Sequence, residues 1–199
     1  MLNDHDPIFG KNVIETLSEG MYDNPLFLFR EYVQNAADAI DAAEKGGILE
    51  KGAGEIVVTI DPDKSFICFE DNGTGIYQAE VTKMLANIGD SQKDRKINKG
   101  FRGIGRLGGL GYCQTVRFET SAKGEAVQTI LEWDAQTLHE ILADKDEHMH
   151  AGQLIRHITN TSSKPYAEEK HFFRVSLINV NENSRELLET KEVKKYLAM

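Results

Sequence analysis

The chain has 199 residues, 40% of them hydrophobic and 28% charged, enough apolar material for one buried core, which excludes a disordered or fibrous chain. It holds no apolar run of the roughly 18 residues a membrane-spanning helix needs, and the N-terminus "MLNDHDPIFG" has neither the basic nor the apolar region of a signal peptide, so a cytoplasmic protein without membrane contact is expected. A formal net charge of −9 argues against binding nucleic acid through bulk charge, and two cysteines without metal spacing, Cys68 and Cys113, read as buried free thiols rather than a disulfide framework.

In chain order, "KNVIETLSEGMY" reads as a short amphipathic helix ending at Gly20. "PLFLFREYVQNAADAIDAAEKGG" reads as a longer one, with Phe29, Val33, Ala36, Ala37 and Ile40 at helical spacing and Gly46 and Gly47 as its stop. "EIVVTI" and "SFICFE" flank the turn sequence "DPDK" and predict a β-hairpin over residues 55–70. "AEVTKMLANIG" is read as helical, "DSQKDRKINK" as loop, and "RLGGLGYC" as a glycine-weakened helix start. "TVRFETSA" and "AVQTILEW" around "KGE" predict a second hairpin, "AQTLHEILA" a helix, "GQLIRHIT" and "HFFRVSLINV" two more strands, and residues 185–197 a last helix. Helices first and strands mostly as hairpins favour an α+β fold, a two-layer sandwich with helices on one face of a mainly antiparallel sheet, in a single domain over 1–199. "DKDEHMH" places His148 and His150 beside Asp144, Asp146 and Glu147, but its surroundings read as a solvated loop rather than a metal site.

Three segments carry chemistry. "GFRGIGRLGGLGYC", residues 100–113, has six glycines, and Gly103, Gly105 and Gly108 match the dinucleotide pattern G-x-G-x-x-G. That pattern requires a buried strand before its first glycine; loop precedes it here, and no Gly-Lys-Ser/Thr of a Walker A loop occurs. Gly100, Gly103 and Gly105 give the alternative frame G-x-x-G-x-G, a glycine loop entering a helix whose free N–H groups suit a phosphate chain. In "FEDNGTGI", Asp71 ends a β run and precedes Gly73 and Gly75; a carboxylate there can accept from an exocyclic amine such as that of adenine. In "REYVQNAADAID", Glu31, Asn35 and Asp38 share one helical stripe, where an amide oxygen suits Mg²⁺ and a carboxylate can deprotonate water.

Taken in the order E-x-x-x-N-A, D-x-G-x-G, G-x-x-G-x-G, these segments resemble the GHKL ATPases (gyrase, heat shock protein 90, histidine kinases and MutL), and residues 8–160 are most similar to the nucleotide domain of bacterial heat-shock-protein-90-like proteins. The resemblance implies the Bergerat ATP-binding fold, ATP and Mg²⁺ as cofactors, and ATP hydrolysis. By it, Glu31 would activate water, Asn35 would bind Mg²⁺ and Asp38 would lie beside the nucleotide. Asp71 would hold the adenine amine, with Gly75 and Ile76 lining the base. Asn87 and Lys93 would contact the nucleotide from the lid, residues 86–101, and Gly100, Gly103, Ile104 and Gly105 would cradle the phosphates. Histidine kinases generally lack the water-activating glutamate, so Glu31 points to the hydrolytic branches. One departure is visible: where heat shock protein 90 has a base-binding threonine after a late glycine, "AGQLIRHIT" puts Gln153. The resemblance further implies an N-terminal fragment of a longer protein, protein clients or partner domains, and an ATP-dependent homodimer. A nucleotide-sensing switch without turnover, and a DNA-linked ATPase of the MutL or MORC kind, are its alternatives.

Overall fold

The computed structural model describes residues 11, 14, 16, 24–86, 105–144 and 146–198. Helix α1 (Phe27–Lys45) comes first, then the hairpin β1 (Ile56–Asp61) and β2 (Phe66–Asp71), and helix α2 (Gln78–Ala86). A 3-10 helix, Gly105–Gly111, leads into a second hairpin, β3 (Cys113–Ser121) and β4 (Val127–Asp134). Helices α3 (Ala135–Ala143) and α4 (Ala151–Ile158) follow, then β5 (Thr159–Pro165), β6 (Phe172–Val180), a 3-10 segment, Glu182–Leu188, and α5 (Thr190–Leu197). The described strands form one six-stranded sheet, β1-β2-β6-β3-β4-β5, every pairing antiparallel. This is the α+β sandwich expected from the order of elements.

Register explains how the sheet builds both a core and a cleft. On its helix-facing side one row runs Ile67, Leu177, Val116, Trp133, and the next Phe69, Val175, Phe118, Leu131, all buried. Helix α1 lies on these rows through Phe29 and Tyr32, whose rings stand 5.2 and 4.9 Å from that of Phe69. Phe118 meets Trp133 edge-on at 4.9 Å. Each such fully buried ring contributes on the order of 2 kcal/mol from area removed from water. The third row is different: Asp71, Phe173, Thr120 and Thr129. Alternation still points these side chains inward, yet three of the four are polar. The opposite face is charged, with Arg174 between Glu70 at 2.8 Å and Glu119 at 3.3 Å, and Arg117 on Glu132 at 2.6 Å.

Three sequence readings are corrected. "GQLIRHIT" is not a strand, because residues 151–158 form α4, and its buried Leu154, Ile155 and Ile158 fall on one helical face. The strand comes one segment later, in "TNTSSKP", which has no apolar alternation because β5 is an edge strand with its side chains largely in water. Lys164 and Pro165 blunt that edge. Within residues 185–197, Glu189 separates the 3-10 segment from α5, so the single last helix is two pieces. "RLGGLGYC" enters a 3-10 rather than an α-helix. The first short helix lies outside the described residues except for Lys11, Ile14 and Thr16. Ile14 is fully buried, and Lys11 Nζ donates to the carbonyls of Ile141, at 2.7 Å, and Asp144, neutralising the C-terminal end of α3. Cys68 and Cys113 are free and buried, as expected.

Candidate functional site

The polar row at the end of the sheet lies beside α1, where Gly73 packs against Ala39. Glu31, Asn35 and Asp38 are partly buried on that helix. Seven residues at 1.5 Å of rise spread the stripe over about 10 Å. At its N-terminal end Glu31 lies against bare backbone: a Cβ built on Gly105 would stand 2.3 Å from Glu31 Oε2. Tyr32 Oη donates to Arg106 O at 3.1 Å, and Arg106 Nε donates to Leu85 O at 2.9 Å, so the 3-10 helix is tied to α1 and to the last turn of α2. Burial lowers the Arg106 guanidinium to about 10, which leaves it charged at neutral pH. Burial also raises the Glu31 carboxyl above its ordinary value, since a charged group is poorly solvated there.

At the other end of the stripe stands the D-x-G-x-G loop. Asp71, the last residue of β2, is 3% exposed. Its Oδ1 accepts from Gly73 N at 2.8 Å. Burial pushes its carboxyl up to about 7; the Gly73 N–H pulls the other way, and neighbouring Glu70 adds to the rise. The two glycines are there for close approach. A Cβ on Gly73 would stand 2.7 Å from Ala39 Cβ on α1, and one on Gly75, at φ +62°, would stand 2.0 Å from Ser121 O. Ile76 N donates to Thr120 Oγ1 at 2.8 Å, and Thr120 Oγ1 donates in turn to Phe172 O at 2.9 Å. His171 Nδ1 lies 2.6 Å from Gly73 O; a carbonyl only accepts, so this nitrogen carries the proton. Asp38 accepts from Gln34 Nε2 at 3.0 Å through Oδ1, while its Oδ2 is buried with no hydrogen-bond donor among the described residues.

The structure therefore places Gly105 beside Glu31 at one end of the α1 stripe and the loop of Asp71, Gly75 and Ile76 beside α1 at Ala39 at the other, with Asn35 and Asp38 on the helix between them. Asn87, Lys93, Gly100, Gly103 and Ile104 lie outside the described residues, as does the lid beyond Ala86. Gln153 is elsewhere: exposed on α4, its Oε1 accepting from His150 N at 3.2 Å. The strand beside Asp71 is β6, and the residue in register with it is Phe173. Thr120, His171 and Phe173 were missed from the sequence. A usable signal existed for Thr120: it follows Val116 and Phe118 at the same parity, as Asp71 follows Ile67 and Phe69, so each strand turns polar where alternation demands an apolar residue.

Chemically, this end of the sheet offers a buried hydrogen-bond acceptor with glycine backbone beside it, and α1 a destabilised carboxylate about 10 Å further along the helix. Residues 28–164 match the family model described as histidine kinase-, DNA gyrase B-, and HSP90-like ATPase. The chain is similar to the chaperone protein HtpG of Alcanivorax borkumensis, 30% identical over 142 residues, and of Shewanella amazonensis, 29% over 145 residues. It is also similar to that of Bordetella parapertussis, 29% over 150 residues. These matches cover 62%, 63% and 58% of this chain and 23% of each relative, so the chain spans about a quarter of their length. With a family match over most of its length, the chain belongs to the GHKL ATPases, and it is similar to the ATPase region of HtpG.

Proposed function

We propose that this chain binds ATP with Mg²⁺ in the cleft between α1 and the end of the sheet, and hydrolyses it as the nucleotide domain of a cytoplasmic, heat-shock-protein-90-like chaperone. The observation that supports the reading is the buried Asp71 carboxyl at the end of β2, next to Gly73, which packs against Ala39 one residue beyond the Glu31–Asp38 stripe. In its ionised form Asp71 accepts from the exocyclic amine of adenine, and Gly73 and Gly75 let the flat base reach the backbone. Ile76 closes the base pocket from the side. The phosphates then run along α1 toward Gly105, with Asp38 beside the nucleotide and its buried Oδ2 as an acceptor for a ligand donor. Asn35 fits Mg²⁺ as a single neutral hard-oxygen ligand, because this cation keeps waters and phosphate oxygens around few protein groups. The ion supplies charge neutralisation on the phosphates.

Glu31 is the general base. Burial raises its proton affinity, and the missing side chain at Gly105 is what lets the carboxylate lie against that stretch of backbone. Asn87, Lys93, Gly100, Gly103 and Ile104 keep the nucleotide and phosphate contacts that the resemblance gives them. Protein clients and an ATP-dependent homodimer follow from the likeness to proteins named chaperones. Phosphate release by Glu31→Ala tests the hydrolytic part. The expected outcome is ATP affinity within about twofold of wild type and turnover reduced at least about a hundredfold, as general-base removal does elsewhere. Equal turnover would remove Glu31 from the mechanism. Wild-type binding without any turnover would make the chain a nucleotide-sensing switch instead.

A further inference from the structure

The 3-10 helix Gly105–Gly111 supplies, at Gly105, the backbone that meets Glu31, yet four of its seven residues are glycine. Such a segment has few side chains with which to hold a fixed place, and 3-10 hydrogen bonds are poorer than those of an α-helix. Leu107 and Leu110 are buried in the core, and Arg106 supplies polar ties. The Arg106 carbonyl accepts from Tyr32 Oη at 3.1 Å, and Arg106 Nε donates to Leu85 O at 2.9 Å. The Tyr32 ring is braced on Phe69, and its hydroxyl passes over Gly109, where a Cβ would stand 2.8 Å from it. Leu85 is a firm anchor in its turn. It is buried in the last turn of α2, and the start of that helix is held at Gln78 N by the two Glu125 carboxylate oxygens, at 3.0 and 3.2 Å.

Two consecutive residues of α1 thus meet two consecutive residues of the 3-10 helix: Glu31 lies against Gly105, and Tyr32 is bonded to Arg106 O. We propose that Arg106 is a positioning residue for ATP hydrolysis: by holding Leu85 O it fixes the Gly105–Arg106 backbone against α1, and so sets where the Glu31 carboxylate lies. The proposal rests on the reading of Glu31 as general base and adds the residue that orients it. A guanidinium is desolvated in a partly buried place, and an apolar side chain of the same length would avoid that cost. What the arginine offers instead is a donor for the Leu85 carbonyl. Arg106 takes no part in the chemistry; it acts through Gly105 and Tyr32.

The test compares two uncharged variants of the 199-residue chain whose side chains match the arginine stem. Arg106→Gln keeps an N–H donor at the position of Nε, and Arg106→Met puts a methyl group there. Turnover is followed by phosphate release and ATP affinity by calorimetry, both with Mg²⁺, and folding is checked by the urea midpoint. Arg106→Met is expected to keep ATP affinity within about twofold and to lose at least about tenfold in kcat, as slight misplacement of a reacting group does. Arg106→Gln, which retains the bond to Leu85 O, is expected to stay within about threefold of wild-type kcat. Tyr32→Phe breaks the second tie without altering Arg106 and covers the case in which the methionine variant does not fold; its loss should again fall on kcat and not on affinity. Wild-type kcat in Arg106→Met or in Tyr32→Phe overturns the proposal. Equal losses in Arg106→Gln and Arg106→Met also overturn it, since the charge rather than the bond to Leu85 would then be what counts, and so does affinity lost together with turnover. In each of these cases an inactive Glu31→Ala leaves the general-base reading standing, whereas a wild type without turnover, or Glu31→Ala as active as wild type, removes both.

Discussion

Asp71, on which the proposed nucleotide site rests, is a buried carboxyl that folding must accommodate. A carboxyl that is 3% exposed, with one backbone N–H for company, is held near pKa 7 rather than 3.8. The folded chain therefore keeps a proton between about pH 4 and 7 that the unfolded chain has released. The stability linked to this group is present below the unfolded value and is lost as pH rises through about 7. Urea unfolding at about pH 5 and pH 8 should accordingly show wild type losing stability with rising pH, and Asp71→Asn losing markedly less. Parallel curves would place the buried charge elsewhere. An amine that prefers the carboxylate should also drive off the retained proton, so ATP binding at about pH 6 should release protons, seen as a buffer-dependent enthalpy that fades by about pH 8. Asp71 was legible because two glycines follow it in the sequence. His171 and Phe173 were not, since nothing local tells which strand will lie beside Asp71; only the register does.

Among the elements, the D-x-G-x-G loop is the most constrained. It is wedged between α1 at Ala39 and the end of β3 at Ser121, and held by Ile76 N on Thr120 and by His171 on Gly73 O. Gly75 and Gly47 separate the two reasons for a glycine. Both have positive φ, +62° and +69°, but a Cβ on Gly75 would stand 2.0 Å from a carbonyl oxygen, whereas one on Gly47 would meet nothing within 4 Å. Gly47→Ala should cost about 1 kcal/mol, the price of the left-handed backbone alone. Gly75→Ala should cost clearly more, above about 2 kcal/mol, and disturb the ligand site as the loop shifts. Equal costs by urea titration would mean that the close approach is unimportant. Both hairpins were readable because their turns, "DPDK" and "KGE", interrupt alternating runs. The exchange of helix and strand over residues 151–165 has a physical cause as well. Leu154, Ile155 and Ile158 suit a helical face as well as a short buried run, while an edge strand in water needs no apolar residue to announce it.

Across the whole molecule, one antiparallel sheet serves two ends. Its two apolar rows against α1 hold the domain together, and its third row, where the same alternation carries Asp71, Phe173 and Thr120, is the one proposed to meet the nucleotide. Glu31 lies 40 residues before Asp71 in the chain and Gly105 34 after it, yet α1 carries Glu31 against Gly105 and Ala39 against Gly73. The order of the motifs along the chain was enough to suggest the superfamily, while the placing of Phe173 and Thr120 in line with Asp71 depends on the β2-β6-β3 arrangement in the middle of the sheet. A ligand that engages all of these segments should stabilise the whole domain, by about 2.7 kcal/mol at a hundred times its Kd. If the domain takes an adenine nucleotide through Asp71, calorimetric titration with Mg²⁺ and ATP should give a saturable isotherm for wild type and no measurable binding for an Asp71→Asn variant that remains folded. Equal ATP affinity in the two proteins would mean that Asp71 does not hold the base.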